Sequence, residues 1–287
     1  MSSGPAGQVT GSSIRPPLET APHAPSRRSL RTVDGVTIEA AYDPAPGTRD
    51  AAGGSLAIVV AHGFTGGLDR PHVRRVAGVL GRDAAVVTFS FRGHGGSGGR
   101  STVGDREVHD LDAAVAWARE LGHARVATVG FSMGGSVVLR HAALHGGTGR
   151  EHERRTAART DAVVSVSAPA RWYYRGTAPM RRLHWLVTRP AGRVVGRYGL
   201  KTRIHSRDWD PVPVSPAESV PLIAPTPLLI VHGDQDGYFP LDHPRMLAEA
   251  SGGHAELWVE HGMGHAEHAA RDELLARIGA WAASAAG

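Results

Sequence analysis

Gly130-Phe131-Ser132-Met133-Gly134 places a serine between two small residues in a Gly-x-Ser-x-Gly pattern. A serine hydroxyl is a poor nucleophile at neutral pH. It needs a base within hydrogen-bond reach to take its proton, and that base needs a carboxylate to orient it. With 37 glycines in 287 residues the pattern alone could arise by chance, so its context matters. The apolar run Val126 to Val129 precedes it and a helical stretch begins at Met133. A serine turned sharply between strand and helix sits in strained backbone geometry, which requires small residues two before and two after it. The turn exposes the hydroxyl at a helix N-terminus. N–H groups there have no intrahelical partner, and Met133 N–H is the first candidate to stabilise a developing oxyanion.

The base and the acid must come from downstream. The run Leu228 to Val231 ends in His232-Gly233-Asp234-Gln235-Asp236-Gly237, which puts two acids at the carboxyl end of a strand, where α/β sites collect. After another helix and strand comes Gly262-Met263-Gly264-His265. Among 17 histidines, His265 is marked out by this position and its neighbouring glycines. His268 reads as a surface residue at the start of the last helix, and His261 as structural. His62 and His232 close strands and are expected to hydrogen-bond backbone. No His-Glu-x-x-His or comparable ligand spacing was found, so no metal site is expected. Gly93-x-Gly95-x-x-Gly98 satisfies the dinucleotide fingerprint formally, but Arg100 to Gly104 separates it from any helix, and it reads as a turn.

Positioning these residues requires a sheet. Leu30 to Tyr42 predicts two strands around Asp34-Gly35, and buried strands are predicted at Leu56 to Ala61, Ala84 to Phe91, Val126 to Gly130, Ala162 to Val166, Leu228 to Val231 and Leu257 to Val259. Helices are predicted at Pro71 to Leu80, Asp105 to Leu121, Met133 to His145, Leu241 to Ala250 and Ala266 to Ala283, with Val108, Leu111, Val115 and Ala118 on one face of the second. Strand alternating with helix implies an α/β fold: a doubly wound, mostly parallel sheet of about eight strands with helices on both faces. The alternation stops between Pro169 and Pro225, where Trp172, Tyr173, Tyr174, Trp185, Tyr198 and Trp209 stand among arginines. An insertion this long is expected to be a structured cap. Residues 1–29 read as a disordered arm and 30–287 as one domain, with the cap at about 170–224.

Composition removes several classes of function. There is no cysteine, which excludes disulfides, a thiol nucleophile and thiolate metal sites and agrees with a cytoplasmic location. No stretch approaches the roughly 20 apolar residues of a membrane span. Arg27-Arg28 is not followed by an apolar signal region. The formal charge of +5 sits largely in the arm, in Arg150 to Arg159 and in Arg171 to Arg207, without a nucleic-acid motif, and reads as solvated surface rather than a nucleic-acid site.

The turn at Ser132, an acid after a late strand and His265 after the last strand, in the order Ser, Asp, His, resemble the α/β-hydrolase family over roughly Leu30 to Ala283. His62-Gly63-Phe64 is similar to the family loop that supplies the second oxyanion donor, and Arg92-Gly93-His94-Gly95-Gly96-Ser97 to its Arg-Gly-x-Gly-x-Ser loop. The resemblance implies Phe64 N–H as that donor. It also selects Asp236 over Asp234 as the acid, leaving Asp234 to cap the turn. Within the family the chain looks most like small esterases, lysophospholipases and monoacylglycerol-lipase-like enzymes. The implied activity is carboxylic-ester cleavage through an acyl-serine on a small-molecule acyl substrate, with no cofactor. Thioesterases, serine peptidases and cofactor-free perhydrolases or haloperoxidases share the same residues, and a non-catalytic ligand-binding relative would keep the fold alone.

Overall fold

Runs such as Leu56 to Ala61, apolar at every position, cannot be half-exposed and belong inside a sheet covered on both faces. The computed structural model shows this arrangement. It describes Met1 and residues 25–46, 56–146 and 156–287. The strands are β1 (Ser26–Arg31), β2 (Thr37–Asp43), β3 (Leu56–Ala61), β4 (Ala85–Phe89), β5 (Arg125–Phe131), β6 (Ala162–Val166), β7 (Leu228–Gly233) and β8 (Ala255–Glu260). They form one eight-stranded sheet in the order β1-β2-β4-β3-β5-β6-β7-β8. β2 pairs antiparallel with β1 and β4, and all other neighbours are parallel.

Alternation along each strand divides the core into two layers. Ala57, Val59 and Ala61 of β3 face one layer with Phe89, Val126 and Leu228, under helices α2 (Glu107–Glu120) and α3 (Met133–His145). Leu56, Ile58 and Val60 face the other with Val129, Phe131 and Leu229, under α1 (Pro71–Leu80) and a C-terminal helix. Val108, Leu111, Val115 and Ala118 of α2 are all buried, as their spacing predicts. Full burial of a Val or Leu side chain stabilises by roughly 1.5–3 kcal/mol, so α2 and α3 are held mainly by these faces.

Two sequence expectations need correction. Ser26 to Ser29 belong to β1, registered from Ser26 against Tyr42, so the arm ends earlier than residue 29. Residues 2–24 of that arm lie outside the described residues, as does most of the basic stretch 150–159. The helix expected over 266–283 is two helices, Ala266–Ala269 and Asp272–Ala285. Arg75 causes the break to be tolerated: its Nη2 donates to the carbonyls of Glu267 and Ala270, both at 2.8 Å, and Nη1 to Asp272 Oδ1 at 2.6 Å. Carbonyls that a continuous helix would bond internally are satisfied by one guanidinium.

The insertion after β6 is helical. Among the described residues the α-helices beyond α3 are, in chain order, α4 (Ala178–Thr188), α5 (Pro190–Tyr198), α6 (Pro216–Ser219), α7 (Asp242–Ala250), α8 (Ala266–Ala269) and α9 (Asp272–Ala285). Thr177 Oγ1 caps α4 by accepting from Met180 N. Arg189 is extended because a proline follows, and Pro190 then opens α5 at a position that needs no N–H. The insertion returns across the body through bridges His94↔Thr202 and Ser101↔Ile204. This explains Gly93 in the formal dinucleotide pattern: a Cβ there would stand 2.4 Å from Arg203 O, and its φ is +79°. Among the described residues no helix is long and apolar enough to cross a membrane.

Candidate active site

β5 ends against the middle of the sheet, with Ala61 of β3 opposite Gly130 and Val166 of β6 opposite Phe131. The chain then turns through Ser132 into α3. Ser132 has φ 53° and ψ −113°, a strained conformation for a residue with a side chain. Its N–H donates to Val166 O at 2.8 Å, which pins the turn to the neighbouring strand. The flanking glycines are steric necessities. A Cβ on Gly130 would lie 2.2 Å from Gly134 O, and one on Gly134 would lie 2.1 Å from Ala61 O.

Three side chains from three separate loops meet at this turn. His265 Nε2 is 2.9 Å from Ser132 Oγ, and His265 Nδ1 is 2.8 Å from Asp236 Oδ2. A carboxylate only accepts, so Nδ1 carries the proton and Nε2 is free to accept from the hydroxyl. Asp236 follows β7, and its other oxygen accepts from Tyr238 N at 2.8 Å and Phe239 N at 3.0 Å. Burial pushes this carboxyl's pKa up, but the hydrogen bond and charge of His265 and the Phe239 N–H outweigh it, and the net pKa is lowered. Tyr238 stacks on the His265 ring, centroids 4.3 Å apart, and fixes its plane. Asp234 is turned away, accepting from Gly262 N at 2.7 Å and meeting His261 Nδ1 at 2.7 Å.

The loop after β3 brings Phe64 to the same cavity as Ser132 and Met133. Among the described residues no hydrogen bond from the Phe64 or Met133 N–H is found, and both residues line the cavity. Two buried histidines shape this loop. His62 donates from Nδ1 to Gly63 O at 2.7 Å and accepts from Phe91 N at 3.0 Å, while His94 accepts from Thr65 N at 3.3 Å. Burial lowers the pKa of both and keeps them neutral, as those accepting nitrogens require. His232 also bonds backbone, 2.8 Å from Phe239 O.

Glu267 is a contributor that no local pattern marks. It is 2% exposed, and its Oε1 accepts from Gly63 N at 3.0 Å, tying the Phe64 loop to the segment just past His265. His268, three residues after His265, is exposed, as expected. His141 and His145 stand one helical turn apart and gather with Asp112 on α2, a grouping that the sequence reading did not single out. That grouping escapes a motif search because the third donor comes from another helix.

Above the turn lies a cavity of about 850 Å³, floored by Phe64, Ser132 and Met133 and walled by cap residues. Trp172 and Trp209 pack at 5.1 Å and are anchored by Nε1 donation to Pro213 O and Thr102 O, at 2.9 and 2.7 Å. Tyr173 is 53% and Trp185 49% exposed, so the cap's aromatics are partly packing and partly open wall.

The model of the alpha/beta hydrolase family matches residues 58–278. Among curated protein sequences none matches this chain. Among solved structures, the esterase Pf2001 of Pyrococcus furiosus is similar at 22% identity and TM-score 0.68, over 92% of this chain and 91% of that one. The alpha/beta hydrolase GrgF from a Penicillium species is similar at 19% identity and TM-score 0.60, over 85% of this chain and 91% of that one. XC6422 from Xanthomonas campestris, described as an a/b serine hydrolase without lid, is similar at 20% identity and TM-score 0.56, over 92% and 94%. These likenesses are of fold. The family match spans well over half the residues and includes Ser132, Asp236 and His265, and on that ground the chain belongs to the alpha/beta hydrolase family.

Proposed function

We propose that this chain is a serine hydrolase that cleaves a carboxylic ester of a small-molecule acyl substrate, with Ser132 as nucleophile, His265 as general base and acid, and Asp236 as the orienting carboxylate. The observation that carries this reading is the continuous relay of 2.9 Å from Ser132 Oγ to His265 Nε2 and 2.8 Å from His265 Nδ1 to Asp236. Ser132 Oγ attacks the carbonyl carbon while His265 Nε2 takes the hydroxyl proton. Asp236 holds Nδ1–H and stabilises the imidazolium that forms.

The carbonyl oxygen, now an anion, meets the N–H groups of Phe64 and Met133, residues that line the cavity with Ser132. Collapse of the tetrahedral species expels the alcohol, which receives the proton from His265. Water repeats the sequence on the acyl-serine. A cavity of about 850 Å³ with aromatic walls suits an acyl group of moderate size.

The test is hydrolysis of p-nitrophenyl esters of graded chain length by wild type and Ser132→Ala. The reading expects turnover by the wild type and its loss in a variant whose circular dichroism is unchanged. A folded Ser132→Ala that keeps the wild-type rate would overturn it.

A further inference from the structure

We propose that Asp112, His141 and His145 form a binding site for a divalent transition metal, Zn²⁺ by the chemistry of its donors, that clamps α2 to α3. Residues four apart on a helix share a face, so the His141 and His145 side chains leave α3 together. Asp112 meets them from α2: its Oδ1 is 3.0 Å from His141 Nε2 and 2.6 Å from His145 Nε2. All three donor atoms lie within 4.8 Å of one another. Zinc bonds of about 2.0–2.2 Å in a tetrahedral site set donors roughly 3.3 Å apart, so the 3.0 Å and 2.6 Å separations here must open by less than about 1 Å to admit an ion.

The second observation is the state of His141. Its side chain is fully buried, and among the described residues neither ring nitrogen has a hydrogen-bond partner, although Asp112 Oδ1 is 3.0 Å away. The oxygen lies off the line along which the ring N–H would donate. His145 Nε2 does meet Asp112 Oδ1 in hydrogen-bond geometry at 2.6 Å, so the His141 ring is the unpaired member of the group. An unpaired buried imidazole is costly, and a bond to a metal would remove that cost at Nε2.

Two imidazoles and one carboxylate suit Zn²⁺, Co²⁺ or Ni²⁺, and the oxygen-poor set does not suit Ca²⁺ or Mg²⁺. Asp112 keeps 29% and His145 10% of the side chain exposed, which gives the ion an entry path and leaves a fourth position for water. His109 Nδ1 stands 3.7 Å from Asp112 Oδ2, the oxygen opposite the ring pair, and steadies the carboxylate. The site is remote from the proposed chemistry: His141 is nine residues past Ser132 on α3, about 13 Å along the helix. Its role is structural and does not depend on the proposed function. The other grouping of this kind is His72 with Glu267 and His268, where Glu267 Oε1 accepts from Gly63 N–H and already holds the Phe64 loop.

The test is titration of chelator-treated, tag-free full chain with Zn²⁺ by calorimetry, together with the visible absorption of bound Co²⁺ and thermal melts. The expectation is one equivalent bound, a tetrahedral Co²⁺ spectrum, and a Tm raised by about 4–5 °C at a hundredfold excess over Kd. Asp112→Asn and His145→Ala each weaken binding by about tenfold or more, whereas His268→Ala does not. Asp112→Asn keeps the side-chain size, so it covers the case in which His145→Ala fails to fold. Absence of saturable binding, binding undiminished in a folded Asp112→Asn, or binding lost in His268→Ala would each overturn the proposal.

Discussion

Along β5 every residue from Val126 to Phe131 is buried, whereas in cap helix α5 only Gly192 and Gly196 are. The strand delivers Ser132 into a turn whose glycines have no room for a methyl group. The cap is anchored at a few points, such as the Trp172 and Trp209 indole N–H bonds, and leaves Tyr198 75% exposed. Close packing makes the first region intolerant of even a one-carbon change, and sparse packing makes the second replaceable. The difference separates two jobs. The geometry of the Ser132 turn rests on the ends of the central strands, and the shape of the cavity above it rests on the insertion.

The sharpest way to break this division is at the acid. Asp236→Asn should lower kcat by about 10⁴-fold, because an amide at this position favours the wrong tautomer of His265. Asp234→Asn, two residues away, should leave turnover near that of the wild type, since Asp234 faces His261 and Gly262. Steady-state kinetics on both variants checks the contrast, and equal losses would mean that the two acids are not distinguished by position.

Acid stability should follow the body of the protein. Burial lowers the pKa of His62, His94 and His232, and lowers that of His243 to about 4. The unfolded chain takes up protons near pH 6.5 before the folded one does. Stability is therefore full above that pH and falls as pH drops from about 6.5 toward the folded values, by up to about 1.4 kcal/mol per pH unit for each histidine. His109, whose pKa Asp112 raises, works in the opposite direction. Urea unfolding at pH 7.5 and pH 5 should show a large loss of stability, and a flat profile would contradict the neutral state assigned to these rings.

Gly134→Ala should cost about 1–3 kcal/mol or more, since the new methyl must displace the backbone at Ala61 O. Glu267→Ala leaves Gly63 N–H unpaired. At about 1–2 kcal/mol of lost positioning, kcat should fall roughly tenfold with little change in KM. At the small end, Tyr198→Ala in the cap should shift stability by less than about 0.5 kcal/mol. A large loss there would show the cap to be more tightly coupled than its exposure suggests.

Features that a local pattern encodes were legible before the structure. The all-apolar run Leu56 to Ala61 is β3 residue for residue, because a strand buried on both faces can show only apolar side chains. The turn at Ser132 is written by its glycines. The choice of Asp236 over Asp234 came from family resemblance, and the structure sets Asp236, not Asp234, against His265. Periodicity reports which face of a helix is buried but not whether its hydrogen bonds run on, so the break between Ala269 and Asp272 was hidden. Glu267 and Arg75 were hidden for a related reason: Glu267 reaches Gly63 across 204 residues and Arg75 reaches Glu267 across 192, and nothing in their neighbourhoods marks these pairings.

The central claim is that Ser132 Oγ is activated by His265, and covalent trapping addresses it most directly. The folded protein is treated with a fluorophosphonate, and the adduct is counted by intact mass and located by peptide mapping. One adduct per chain on Ser132, abolished in a folded His265→Ala, is the predicted result. An adduct on another residue, or labelling of Ser132 that is undiminished without His265, would contradict the account.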